Sequence, residues 1–437
     1  MQIPCLRLKL VVFVKVSLIF LLYSNTSTAV DLKSVYAESY ELSPSIQAAQ
    51  AQLDAKEAQL SQSTARLLPE LMLEASYGDS RSDTSSNSHG HSVGLKLSQS
   101  LLDGSLWASR SVSAIEYDIA KITLRAATQA HLTKVVANYF SILVAQETLL
   151  AAESQLSALI QNAERAKIAF RIGSASITDK LEAEARLDLA KAELLAAQND
   201  LANSQYRLEV MLETRPQFPL PAPEKISMEI SADDFSITRA LENNAELLIA
   251  QRKQAVANKE KTKAIASRLP TLNLVGRTTQ QSQTYAFPDS SIESRTNTLT
   301  LDFSVPLFSS GYHSAKVAQA NAQRLEAIAD QEHIKQKIKL EHQAALLNVK
   351  TGAQRVGALG AALKSSESAL EATQKGLEVG IRDNIDLLDA QKQVFSVKKD
   401  YAKARYDYHL SVIKLKEITG VLNEQDLFDL SMAMYKK

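Results

Sequence analysis

GSLWASRSVSAIEYDIAKITLRAATQAHLTKVVANYFSILVAQETLLAAESQLSALIQNAERAKIAFRIG runs from Gly104 to Gly173, and the 68 residues between those glycines include neither glycine nor proline. Ala, Leu, Gln, Glu, Lys and Arg dominate the stretch, and these are the residues that lose least on entering a helix. As one helix rising 1.5 Å per residue it spans roughly 100 Å, about three times the hydrocarbon thickness of a bilayer. A second stretch of 68 residues, free of proline, lies between Gly311 and Gly380. Helices of ordinary domains average about 11–12 residues. Two rods of this length decide the fold class.

The rods belong to two copies of one unit. Pro69 and Pro270 each follow an Arg-Leu sequence (RLLP and RLP) and end a helical pattern. The residue before proline is pushed toward extended geometry, and alternation begins at once after both. Leu71, Leu73, Ala75 and Tyr77 alternate with Met72, Glu74 and Ser76, and Leu272 and Leu274 alternate with Thr271 and Asn273. A polar loop follows each. Alternation then returns, with Val93, Leu95, Leu97 and Leu101 on one face in the first half and Leu299, Leu301, Phe303, Val305 and Leu307 on one face in the second. Apolar-out, polar-in alternation over about ten residues is the pattern of an outer-membrane barrel strand, and also of a half-buried strand in a soluble sheet. The strands are expected at about 70–78, 91–102, 271–279 and 296–308, the long helices at 105–172 and 312–379, and return helices at 174–215 and 381–419. Leu187, Leu194, Leu201 and Leu208 fall at heptad spacing, each followed three residues later by Ala190, Ala197, Ser204 and Met211. That 3,4 spacing describes a coiled-coil seam. The fold is therefore mainly α with a small β portion: a helix-strand-strand-long helix-helix unit over 30–215, duplicated over 236–420. A Pro-rich linker at 216–235, beginning Pro216-Gln217-Phe218-Pro219, joins the halves, and 421–437 forms a short capping segment.

Residues 1–29 read as a secretory signal peptide. Arg7 and Lys9 precede an apolar run from Leu10 to Tyr23, and Ser27-Thr28-Ala29 offers the small residues of a cleavage site. Three of the 49 basic residues lie in that segment, leaving 46 against 49 acidic. A net charge of −3 gives no reason to expect nucleic-acid binding. The single cysteine, Cys5, also falls within it, so the mature chain has no disulfide or thiolate metal site. No run of 18 consecutive apolar residues follows. If the mature chain enters a membrane it must do so as strands.

Four strands are too few to close a barrel, since small barrels take about eight, and open edges are not tolerated in lipid. Two or three chains sharing one barrel would supply eight or twelve. Several motifs, finally, carry a resemblance. LKLSQSLLDGSLW (Leu95 to Trp107), the RLLP and RLP turns, ITD (Ile177 to Asp179), VGIRDNIDLLDA (Val379 to Ala390) and LNEQDL (Leu422 to Leu427) resemble the TolC family of outer-membrane channel proteins. The resemblance implies a homotrimer whose twelve-stranded barrel sits in outer-membrane lipid and continues into a periplasmic α-helical coiled-coil barrel. It implies an exit duct for a tripartite efflux pump or a type I secretion system. The partners it implies are a periplasmic adaptor and an inner-membrane transporter of RND, MFS or ABC type.

Gly173 and Gly380 end the rods, where glycine supplies the positive φ of a helix that doubles back. The resemblance makes these turns the entrance and the adaptor-docking surface. It also makes Thr178, Asp179 and Arg382 an entrance latch, and Asp386 and Asp389 a constriction ring. The plain alternative is that acidic residues in a first helical turn serve the helix dipole and that Arg382 is simply solvated. Leu377 stands where the family pattern has tyrosine, so an aromatic part of the latch is absent.

No catalytic motif is present: G-x-S-x-G, H-E-x-x-H and G-x-x-x-x-G-K are all missing, and no cofactor is expected. His89 and His91 have no third ligand at metal-binding spacing and read as solvated loop residues. Trp107 suits either an interfacial anchor or ordinary packing. Competing readings are a periplasmic adaptor, with one hairpin and soluble β domains, and a trimeric coiled-coil envelope protein. Neither accounts for the duplication.

Overall fold

A computed structural model describes residues 31–81, 87–214, 216–221, 236–287 and 289–435. The signal segment 1–29 and the linker from 222 to 235 lie outside the described residues. The first half runs α1 (Leu32–Leu42), α2 (Pro44–Ala65), β1 (Glu70–Ser80), β2 (Ser88–Leu102), α3 (Gly104–Arg171) and α4 (Ile177–Leu212). The second repeats the order as α5 (Ile237–Asn243), α6 (Ala245–Ala266), β3 (Thr271–Ala286), β4 (Asp289–Ser304), α7 (Tyr312–Glu378) and α8 (Asn384–Ile418), and α9 (Glu424–Tyr435) follows. The leading helix of each half is in two pieces. Pro44 opens α2 at its first turn, where its missing N–H is harmless. In the second half Asn244 caps α6 by accepting from the Leu247 N–H at 3.1 Å. The 68 residues of α3 are capped by Asp103, whose carboxylate accepts from the Ser105 and Leu106 amides at 2.8 and 3.4 Å.

The four strands form one antiparallel sheet in the order β1-β2-β3-β4. They run further than the alternation suggested. Residues expected in loops pair instead, with Asp79 opposite His89 and Ala286 opposite Asp289. His89 and His91 are therefore strand residues, not loop residues, although both are exposed. Apolar alternation reports which face meets an apolar medium, whereas the backbone ladder continues wherever Ser, Thr and Gln can extend it. At the other end β4 stops at Ser304, because Pro306 has no N–H to give. Val305 and Leu307, expected on its apolar face, lie beyond the strand and are exposed.

The register puts Leu71 opposite Leu97, Leu73 opposite Leu95 and Ala75 opposite Val93. It sets Leu274 against Leu301 and Leu272 against Phe303. One face of the sheet is thus a field of leucine, valine and phenylalanine, and it is bare: Leu73 is 71% exposed and Leu299 78%. Trp107, on the first turn of α3 just past the end of β2, is exposed as well. The other face of the sheet is polar. There Glu74 lies 3.7 Å from Lys96 and 3.3 Å from Arg277, and Ser76 and Ser92 share a hydrogen bond of 2.9 Å. No helix packs on either face among the described residues. A sheet normally buries its apolar face against another layer. Here the described residues supply no such layer.

The main core lies halfway along the rod. Leu132, Val135, Val136, Tyr139, Phe140, Ile142 and Leu143 of α3 meet Leu32, Val35 and Tyr36 of α1, Leu208 and Leu212 of α4, Tyr406 and Ile413 of α8, and Leu427 and Leu430 of α9. Away from this girdle the helices pair through small residues. Ala190, Ala197 and Ser204 of the α4 heptads are buried, and Val397 and Ala404 occupy the matching places on α8. Among the described residues one helix, α3, contains an 18-residue window apolar enough to cross a membrane, but half of that window is buried inside the chain.

Candidate functional site

Both rods end in the same hydrogen-bonded turn. The Gly173 amide donates to Phe170 O at 3.1 Å and the Ser174 amide to Ala169 O at 2.9 Å. At the second tip Gly380 donates to Leu377 O at 3.1 Å and Ile381 to Gly376 O at 2.8 Å. Both glycines have φ of +76, the left-handed geometry this pairing of 5→2 and 6→1 bonds requires. Each return helix then starts on its own cap. Ser176 accepts from the Asp179 amide at 3.1 Å while the Asp179 carboxylate accepts from the Ser176 amide at 3.0 Å, a reciprocal capping box. Asp383 accepts from the Asp386 amide at 2.8 Å. Around these caps the tip is apolar and uncovered: Ile172 is 73% exposed and Ile381 80%, with Ile177 and Val379 beside them.

The five polar residues singled out at the tip fall into three places. Thr178 is exposed on the first turn of α4. Asp179 is engaged in its capping box, and Arg382 reaches not to it but to Asp386, Nη1 to Oδ2 at 3.3 Å. Within one chain, therefore, Arg382 and Asp179 are not brought together. Asp389 makes the shortest contact of the set: its Oδ1 lies 2.6 Å from Arg186 Nη1, and Arg186 Nη2 bonds Glu182 at 2.9 Å. Burial works against the charge of Arg186, yet the bonds to Asp389 and Glu182 hold its guanidinium above the ordinary range.

Sequence reasoning missed Arg186 and Gly376. The Glu182–Arg186 spacing of four is a readable helix pair, but the bond from Arg186 to Asp389 spans 203 residues of chain and has no local signature. Gly376 had no signal at all. A Cβ there would sit 2.7 Å from Arg382 Cγ, so the missing side chain is what lets the arginine stem lie across the last turn of α7. Leu377 is half-buried on that turn. Close by, Asn162 of α3 donates to Gln391 of α8 at 2.8 Å, and Leu159, Ala190 and Leu388 pack where α3, α4 and α8 meet.

Comparison with known proteins gives a consistent answer. The family model described as outer membrane efflux protein matches residues 35–213 and 236–421, one match per half. The chain is 29% identical to the outer membrane protein TolC of Vibrio cholerae, covering 94% of this chain and 95% of that protein. It is 26% identical to the alkaline protease secretion protein AprF of Pseudomonas aeruginosa, over 93% and 88% of the two chains. Its fold is similar to the Campylobacter jejuni CmeC outer membrane channel, with a TM-score of 0.77, 18% identity, and 93% and 90% of the two chains covered.

Proposed function

The chain belongs to the outer membrane efflux protein family, and from that premise we propose that three copies assemble into one duct whose gate is the helical tip. The protein is an outer-membrane channel with its helical tube in the periplasm, an exit duct for efflux and type I secretion. One observation carries the assembly: among the described residues, a single-layer sheet with a bare apolar face and two unpaired edges, β1 and β4. In lipid such edges must be closed. Joining β1 of one copy to β4 of the next in a ring of three gives twelve strands, comfortably above the number a barrel needs. The apolar field then faces lipid and the Glu74, Lys96 and Arg277 face lines the lumen.

At the far end, the exposed Ile172, Ile177, Val379 and Ile381 beside Gly173 and Gly380 offer an apolar landing for a periplasmic adaptor. Through that adaptor the duct meets an inner-membrane transporter of RND, MFS or ABC type. Arg382, apart from Asp179 within its own chain, is available to a neighbouring copy's Thr178 and Asp179. Leu377 contributes no phenol, so charge pairs alone hold that latch. The carboxylates of Asp386 and Asp389 from three copies meet at the narrow end. Purification from outer-membrane fractions tests the assembly: a heat-stable trimer that forms pores in planar bilayers is expected, and a water-soluble monomer would end the proposal.

A further inference from the structure

Resting on the reading of the tip as the channel entrance, we infer that Arg186 sets the entrance's charge by pairing with Asp389. Asp386 and Asp389 sit three residues apart on the first turns of α8 and share a helix face, yet their partners differ in kind. Asp386 meets Arg382, four residues earlier in the same chain segment, at 3.3 Å, and both side chains are about half in solvent. Asp389 meets Arg186 from another helix, α4, at 2.6 Å. The Arg186 side chain is only 23% exposed, whereas Asp389 keeps 63% of its side chain in solvent, so the pairing offsets its charge without burying it. Its second nitrogen is anchored to Glu182, so the planar fork is already oriented when Asp389 arrives. A preorganised guanidinium of this kind loses little freedom on binding a carboxylate. Beside it opens a cavity of about 280 Å³ between α3, α4 and α8, walled on its apolar side by Leu159, Leu189 and Leu388. The Arg186–Asp389 bridge thus ties α4 directly to α8.

In a trimer, Arg186 positions the start of α8 against α4 and so fixes where the second hairpin rests. It also offsets part of the charge of Asp389, three of the six carboxylates, more closely at 2.6 Å than Arg382 offsets Asp386 at 3.3 Å, so Asp386 is the readier of the two to attract cations. Arg186 is thus a selectivity-determining and positioning residue.

Planar-bilayer recordings of the full-length channel, with Mg²⁺ as the blocking probe, test this. In Arg186→Gln the Mg²⁺ concentration for half-block is expected to fall about two- to five-fold, the scale of a partly exposed charge pair, because three further carboxylates are released. Arg186→Lys, which keeps the charge, should stay near wild type, and Arg186→Gln/Asp389→Asn should return to it. Asp386→Asn should weaken block. If Asp386→Asn weakens block while Arg186→Gln leaves it unchanged, the role of Arg186 is refuted and the entrance reading stands. Failure of all the variants to alter block removes both. A double variant that behaves like Arg186→Gln alone also overturns the inference, since Asp389 would then not be the group released.

Discussion

Asp179 has one role in the structure and a second in the proposed trimer, and they can be separated. Its carboxylate closes the α4 capping box, a contribution of about 1 kcal/mol to helix stability, and in the proposed trimer it is also the latch partner of Arg382. Ser176→Ala removes the cap alone, whereas Asp179→Ala removes cap and latch. Both variants are expected to lower thermal stability slightly, but only Asp179→Ala and Arg382→Ala should raise single-channel conductance in planar bilayers. Equal conductance in all three would eliminate the latch. Each pair contributes only ~0–1 kcal/mol because it is exposed, which suits a gate that a docked adaptor has to open. A second single side chain, His409 of α8, makes stability depend on pH. It is buried, its Nδ1 has no hydrogen-bond partner among the described residues, and burial, reinforced by Arg405 a turn away, pulls its pKa from 6.5 down to about 4. Above pH 6.5 the ring is neutral in folded and unfolded chains alike. Between 6.5 and about 4 only the unfolded chain takes the proton, so stability falls as pH drops through that window, by on the order of 3 kcal/mol. Glu417 opposes the trend: burial raises its pKa, despite its bond to Thr133, so it favours folding on the acid side. The readout is therefore the difference between wild type and His409→Leu in melting midpoint at pH 7 and pH 4.5. Any advantage of the wild type at pH 7 should shrink or reverse on acidification.

Among the elements, the sheet carries the most decisive test because its two faces are chemically opposite. Leu299 and Thr300 are neighbours on β4 but lie on different faces. A lysine on a lipid face is destabilising by up to about 2–4 kcal/mol near the bilayer midplane, and lumen positions tolerate it. Leu299→Lys should lower folding stability in lipid vesicles by an amount in that range, while Thr300→Lys should change it little. Equal tolerance at both positions would mean that the bare apolar face meets something other than lipid. The helical hairpins follow a different logic. Ala190, Ala197 and Ser204 bury little area each, and their value lies in letting α3 and α4 approach over many turns.

Taken end to end, a single chain is a rod whose well-packed core is confined to the middle. The sheet at one end and the tip at the other are left incomplete. Exposed Leu150, Ile160, Leu189, Leu195, Tyr206 and Val210 on α3 and α4 extend that incompleteness along the tube wall. A surface this apolar on one chain marks interaction sites, and the proposed trimer covers it with copies of itself. The pore therefore has no meaning for one chain alone, and trimer dissociation and loss of conductance should occur together.

The duplicated architecture was legible in the residues because each of its signals acts within a few positions of chain. Gly173 and Gly380 stop the rods, Pro69 and Pro270 turn helix into strand, and the dyad alternation of Leu71, Leu73 and Leu299, Leu301 marks an apolar face. The polar ends of the strands escaped notice, since backbone pairing at Asp79–His89 leaves no apolar mark. So did the partner of Asp389. Whether that carboxylate is free, and whether Arg382 has Asp179 or Asp386 within reach, depends on how α4, α7 and α8 are set side by side. Those two answers came from the folded arrangement alone, because an ion pair 203 residues apart is fixed by helix packing and not by anything its own segment contains.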